Sequence, residues 1–294
     1  MELTILERDD GITHVALAGR LDSNAAEQID EQFSRVVGMQ NQPAIVDLSQ
    51  VDFMASRGIG LLIANGKRLI KAGHRLVLLC PQAIVAGVLK TSKIDLLTPI
   101  VRDIGEAVRV LRGGQIEADA VGAAAKVTPL APVPPRRPVS AAIPTSEKLQ
   151  LAIKNDMSEL DGLNAAVAEY LTAHAVPDRA AYAVNLATEE LLVNVIRYAY
   201  MDDETHTIEV ELGSEGDQLV LTIVDDGMPF DPRKGPALNV HAEDYEGGGL
   251  GLILVLDMVD LLKYRREADR NHVEVRIHMA ADGVETSLLD AAEN

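Results

Sequence analysis

Three stretches decide how this chain reads: TEELLVNVIRYAY (residues 188–200), LVLTIVDDGMPFDP (219–232) and GGGLGLILV (247–255). The first has helical spacing. Glu190 and Asn194 stand four apart, so both leave one helix face one turn apart. Val184, Ala187, Leu191 and Val195 supply an apolar stripe beside them. An amide oxygen suits a hard cation such as Mg²⁺, and a carboxylate can take a proton from a hydroxyl or from water. Alone, the pair also fits a solvated helix face, and Glu189 reads as that case. The second stretch is a strand that hands Asp225 and Asp226 to a turn at Gly227. A carboxylate there could accept from the exocyclic amine of a base, with Met228, Pro229 and Phe230 flooring a flat ligand; a polar turn ending a strand fits equally well. The third stretch sets Gly247, Gly248, Gly249 and Gly251 before an apolar helix, where free amides can hold phosphate. A glycine hinge without a ligand fits too. The G-x-G-x-x-G spacing and the P-loop ending are both absent. Between the acidic turn and the glycines runs a polar segment containing His241 and EDYE, which reads as a mobile lid.

Taken together and in this order, the three pieces resemble the Bergerat-type ATP fold of histidine kinases, gyrase and Hsp90, and most of all the bacterial anti-sigma factor serine kinases. EELLVNVIRYAY is similar to that family's first box, DDGMPFDP to its second, and GGLGLILV with the following LKYRREADRNHVEVRI to its third box and final strand. The resemblance covers about residues 146–280. It implies Asn194 as the Mg²⁺ ligand, Glu190 as the general base and Asp225 as the reader of the adenine amine. Gly227 would shape the turn, and Gly249 and Gly251 would lie by the phosphates of ATP. Pro229 stands where many relatives carry a second glycine, which the serine-kinase branch often tolerates. No histidine sits in a dimerising helical pair ahead of this region, which argues against a sensor histidine kinase.

The N-terminal half alternates strands (3–8, 13–17, 44–49 and RLVLLC) with helices (24–37, 56–71, 82–89), implying a sheet covered by helices. VDLSQVDFMASRGIGLLIANGKRLIKAG and the earlier GRLDSNAA resemble the STAS domain of anti-sigma factor antagonists over about residues 3–112. In that family a hydroxyl at the start of the helix is phosphorylated by the partner kinase, and the added charge breaks the complex. The family's Asp-Ser-Ser-Gly is Ala55-Ser56-Arg57-Gly58 here, so Arg57 takes the place of the usual acceptor and Ala25 that of a second hydroxyl. Ser56 is left as an alternative phosphoacceptor or as a plain helix N-cap. The division expected is a STAS-like domain over 1–112, a Pro/Ala-rich linker over 113–144, a serine kinase-type ATPase domain over 145–280 and an acidic tail over 281–294. The linker follows from Pro132, Pro134, Pro135 and Pro138, which forbid an ordinary helix or central strand. In the second half, strands are expected near 148–155, 207–212, 218–224 and 273–279, and helices at 159–174, 179–198 and 250–262. The fold class is therefore α/β: a STAS-type mixed sheet with helices, then a Bergerat-type two-layer α/β sandwich.

Bulk properties agree with a two-domain protein. The 294 residues carry a net charge of −18, which disfavours nucleic acid and anionic membrane surfaces. Aromatics make up 3 % and Trp is absent, so the cores must be built from Leu, Ile, Val and Ala. The single cysteine, Cys80, excludes an internal disulfide and a cysteine zinc site, and reads as a small buried residue. The N-terminus lacks a signal-peptide pattern and no apolar run reaches membrane-spanning length, so a soluble cytoplasmic protein is expected.

The resemblances imply an ATP- and Mg²⁺-dependent serine/threonine kinase in a partner-switching pathway. Its substrate would be a separate STAS antagonist with an intact hydroxyl, with a sigma factor as a further partner; the kinase resemblance also allows a homodimer. A nucleotide-gated module that sequesters a sigma factor or antagonist without turnover is the alternative. The linker is long enough for a third arrangement, in which the STAS half docks on its own kinase half as an inhibitor.

Overall fold

The computed structural model describes residues 1–6, 11–113, 148–234 and 249–279. The proline-rich run from 114, the polar segment with His241, Gly247 and Gly248, the turn residues Asp9 and Asp10, and the tail 281–294 lie outside the described residues.

The N-terminal half is a five-stranded mixed sheet in the order β1-β2-β3-β4-β5. β1 (Glu2–Leu6) runs antiparallel to β2 (Thr13–Leu21), and the remaining pairs, through β3 (Ala44–Met54), β4 (Leu76–Leu79) and β5 (Ile100–Val101), are parallel. Successive residues point to opposite faces. Val46 and Leu78 join one core with α1 (Ser23–Phe33), α2 (Ser56–Lys71) and α3 (Ala83–Thr91). Ile45 and Val77 join a smaller core under α4 (Ile104–Leu111). β2 and β3 both run further than their apolar patterns suggest, through register shifts near Gly19. β5 and α4 have no counterpart in the sequence reading. Cys80 is only half-buried, in a left-handed backbone conformation (φ 49°) at the end of β4, so the buried apolar role expected for it does not hold.

The C-terminal half is a fully antiparallel sheet in the order β6-β7-β8-β10-β9, formed by β6 (Leu149–Lys154), β7 (Thr207–Glu215), β8 (Gln218–Asp225), β9 (Leu261–Glu267) and β10 (Arg270–His278). Alternation is regular: Leu219, Leu221 and Ile223 face Val273, Val275 and Ile277 in one core, under α5 (Glu159–Ala173), α6 (Asp178–Tyr198) and α7 (Leu250–Met258). The helix expected over 250–262 stops at Met258, and β9 occupies residues assigned to its end. The reason is that Leu262 and Tyr264 pair with β10 and pack on the core, which a continued helix could not do.

The two halves are packed together. Tyr182 and Leu186 of α6 and Leu250 and Leu254 of α7 are buried within the core of the N-terminal half. The Tyr182 hydroxyl donates to Met54 O at 3.0 Å and accepts from Met54 N at 3.1 Å, while its ring packs on Phe53 with centroids 5.0 Å apart. Burial pushes the Tyr182 hydroxyl up to about 12. The Arg20 guanidinium lies over Phe53, bonds Asp22 and reaches Asn185 Oδ1 at 3.3 Å.

Candidate functional site

α6 places Glu190 and Asn194 at the junction of the halves. Asn194 Nδ2 donates to the Glu190 carbonyl one turn back at 2.7 Å, and the residue lines a cavity of about 280 Å³. With its nitrogen tied back, the amide oxygen of Asn194 is the atom left to meet a ligand. The same cavity is lined by Leu191, Ile223, Asp225, Met228, Pro229, Phe230 and Gly249. The helix, the acidic turn and the glycine turn therefore converge on one space.

Asp225 is 2 % exposed at the end of β8. Its Oδ1 accepts from Gly227 N at 2.9 Å and from Asn271 Nδ2 at 2.8 Å, and neither bond uses Oδ2. Burial raises its carboxyl above the usual range, and the bonds from Asn271 and Gly227 offset part of that rise. Asp226 turns outward to His206, 3.2 Å away. Gly227 is required for a different reason than a sharp bend. A Cβ there would collide with Ala199, whose carbonyl accepts from Met228 N at 2.8 Å, so the turn lies directly on the end of α6. Asn271, unsuspected from the sequence, sits opposite Asp225 in the β8–β10 register. It is held in turn by Arg266 and Tyr264, each at 2.9 Å from its Oδ1.

Gly249 has φ 91° and caps the start of α7, a backbone state that favours glycine. Gly251 is one turn into the approach of α7 to α6: any side chain there would overlap Glu190 Oε2. Glu190 is 4 % exposed, and burial pushes its carboxyl up to about 7, against the hydrogen bonds from Ser56 that favour the charged form.

Ser56, the first residue of α2, donates to Glu190 twice. Its amide reaches Oε1 at 2.7 Å and its hydroxyl reaches Oε2 at 2.7 Å. The N-cap of α2 is Ala55, whose side chain makes no cap bond, so the plain N-cap role for Ser56 is not what the fold uses. Arg57 lies 3.9 Å from Glu27, beside the ion pair of Glu27 with Arg197 of α6. Glu189 is not the solvated residue expected: it is fully buried. Its Oε1 accepts from Ser23 N, the start of α1, at 2.9 Å, and its Oε2 accepts from Asn164 Nδ2 of α5 at 3.1 Å. Adjacent carboxylates of α6 thus each meet the positive end of one helix of the other half.

Among the described residues no cluster of three or more His, Cys, Asp or Glu could hold a metal. A cation here would rest on the Asn194 oxygen and on oxygens that a ligand brings, which suits Mg²⁺ better than a dedicated protein cage. No helix among the described residues is long and apolar enough to cross a membrane.

Comparison with known proteins gives both halves a family. Residues 4–107 match the STAS domain model, and residues 153–277 match the model of the histidine kinase-like ATPase domain. The serine/threonine-protein kinase BtrW of Bordetella bronchiseptica is 27 % identical over 106 residues, 35 % of this chain and 75 % of BtrW. An anti-sigma factor antagonist from Mycobacterium paratuberculosis is 24 % identical, over 38 % of this chain and 95 % of that one, with a TM-score of 0.34. The RsbU and RsbW domains of Rv1364c from Mycobacterium tuberculosis are 12 % identical, over 45 % of this chain and 32 % of that one, with a TM-score of 0.33. This chain therefore joins an N-terminal STAS domain to a C-terminal histidine kinase-like ATPase domain.

Proposed function

We propose that this chain is an ATP-dependent serine/threonine protein kinase that works as a partner-switching regulator on the hydroxyl of a STAS antagonist. The observation that carries this reading is the 2.7 Å contact between a STAS serine hydroxyl and Glu190 Oε2, at the edge of the cavity lined by Asn194, Asp225 and Gly249. The likeness to a serine/threonine-protein kinase supports the same reading.

In this reading Asp225 Oδ2 accepts from the exocyclic amine of adenine, and Met228 and Phe230 cover the ring. Asn194 would hold Mg²⁺, which when bound bridges phosphate oxygens and offsets their charge. The start of α7 at Gly249 and Gly251 presents backbone amides toward the phosphates. Glu190 takes the proton from the attacking hydroxyl; a carboxylate held near 7 is matched to that task at neutral pH. The docked STAS surface keeps water from the same position, where it would give hydrolysis. The cytoplasm is the compartment proposed, with a sigma factor as a further partner and a homodimer as the assembly.

The test is direct transfer of labelled γ-phosphate to separately supplied STAS-domain proteins. Glu190→Gln should lower transfer by about 100-fold or more while nucleotide binding is kept. Undiminished transfer would remove Glu190 as the base. One observation favours the alternative, a nucleotide-gated module that sequesters its partner: Glu190 also accepts the Ser56 amide, which is a holding contact. Nucleotide-dependent partner binding with no labelled product would decide for it.

A further inference from the structure

The geometry points to Ser56 of this same chain as a phosphoacceptor in cis, with phosphorylation releasing the STAS domain from the kinase face it covers. The inference rests on the kinase reading above and deepens it by naming the substrate that occupies the site.

Four independent contacts seat the STAS domain so that Ser56 alone meets the base. Tyr182 grips both backbone groups of Met54, two residues before Ser56. Glu189 holds the start of α1 through Ser23 N. Arg197 pairs with Glu27 at 3.2 Å, and Asn24 Nδ2 donates to Asp161 at 2.8 Å. Within this frame the Ser56 hydroxyl donates to Glu190 Oε2, the oxygen that lies against Gly251 at the start of α7. Acceptor hydroxyl, base and glycine turn thus share one point. Arg57, in the place of the usual family acceptor, instead faces Glu27.

The transfer balances. The Ser56 Oγ attacks the γ-phosphorus and forms a new P–O bond. The β,γ-bridging P–O bond breaks, and its electron pair leaves on ADP. The hydroxyl proton passes to Glu190 Oε2. The product places a phosphate dianion where the buried Glu190 carboxylate had accepted two hydrogen bonds, with the buried Glu189 next to it in sequence. Like charge in a dry contact breaks the docking. Once undocked, the phosphate sits at the amide end of the 16-residue α2, which favours an anion. The vacated α6 face is then open to a STAS partner in trans.

The test uses the full chain with Mg²⁺ and γ-labelled ATP. One phosphate is expected on Ser56, at a rate unchanged on dilution, lost in Ser56→Ala and in Glu190→Gln, and retained in Ser56→Thr. Small-angle scattering should show the labelled chain expand. Label on another residue, or a rate that falls with dilution, overturns the cis assignment. The Ser56→Ala chain is then given separate STAS-domain proteins. If it labels them while the native chain leaves Ser56 unlabelled, the cis inference fails and the kinase reading stands. If nucleotide binds and nothing is labelled in either arm, the kinase reading itself fails.

Discussion

The Glu190 carboxylate lies on the backbone amide of Ser56, on its hydroxyl and against Gly251, all within a space that admits almost no water. Burial raises its pKa from 4.5 to about 7, which has a consequence measurable without nucleotide or metal. If undocking returns Glu190 to its ordinary value, the docked state holds the proton more tightly, so docking takes up a proton. Docking is then strongest at acid pH, weakens as pH rises from 4.5 through about 7, and is level above that. Between those limits each pH unit changes docking by at most about 1.4 kcal/mol. Fluorescence transfer between dyes on the two halves should report this loss of docking, and Glu190→Gln should flatten the slope. Docking that tightens with rising pH would contradict the assignment. Glu189 offers a companion prediction: Glu189→Ala strands the Ser23 amide and the Asn164 amide, and should weaken docking by about 1.5–3 kcal/mol as read by the same signal.

At the scale of elements, α6 explains both what the sequence disclosed and what it concealed. Its apolar stripe at Val184, Ala187 and Leu191 faces the kinase core, as the spacing implies. Asn194, one turn past Glu190, meets Asp225 and Gly249 at one cavity, and their order along the chain was enough to place them together. A second stripe, Tyr182, Leu186 and Glu189, faces the STAS domain. Polar residues on that stripe imitate a solvated face, because nothing local tells a carboxylate bound to a distant helix end from one bound to water. β9 escaped for a related reason: its burial depends on pairing with β10, a register that no short window contains. The same pairing sets Asn271 across from Asp225. Asn271 acts by positioning, since its amide holds Asp225 Oδ1 and the carbonyls of Gly227 and Met228. Asn271→Ala should weaken adenine nucleotide binding by about 1–3 kcal/mol, the cost of leaving a buried acceptor unpaired. Titration calorimetry should show guanine nucleotides, which bind poorly throughout, unaffected. An unchanged adenine affinity would remove Asn271 from the site.

For the whole molecule, the STAS domain and the catalytic face compete for one surface. Leu254 is fully buried, and with Leu250 it reaches from α7 into the STAS core, while Leu252 and Val255 of the same helix pack the kinase core. One helix therefore serves both domains, with different faces assigned to each. Leu254→Glu places a charge in the apolar contact between domains and leaves the kinase-facing residues in place. Burying an unpaired carboxylate costs far more than the contact supplies, so the domains should separate rather than accommodate it. Small-angle scattering should then show an increased radius of gyration. Amide exchange should accelerate at the end of β3 and the start of α2, where Met54 and Ser56 lose their partners. Far-ultraviolet circular dichroism should keep its intensity, because each sheet retains its own core. In the same variant, phosphate transfer to separately supplied STAS-domain proteins should rise, since the face occupied by the cis domain is vacated. A compact Leu254→Glu chain would show that the α7 contact is dispensable. An expanded chain with no gain in transfer would show that covering the face does not restrain the kinase.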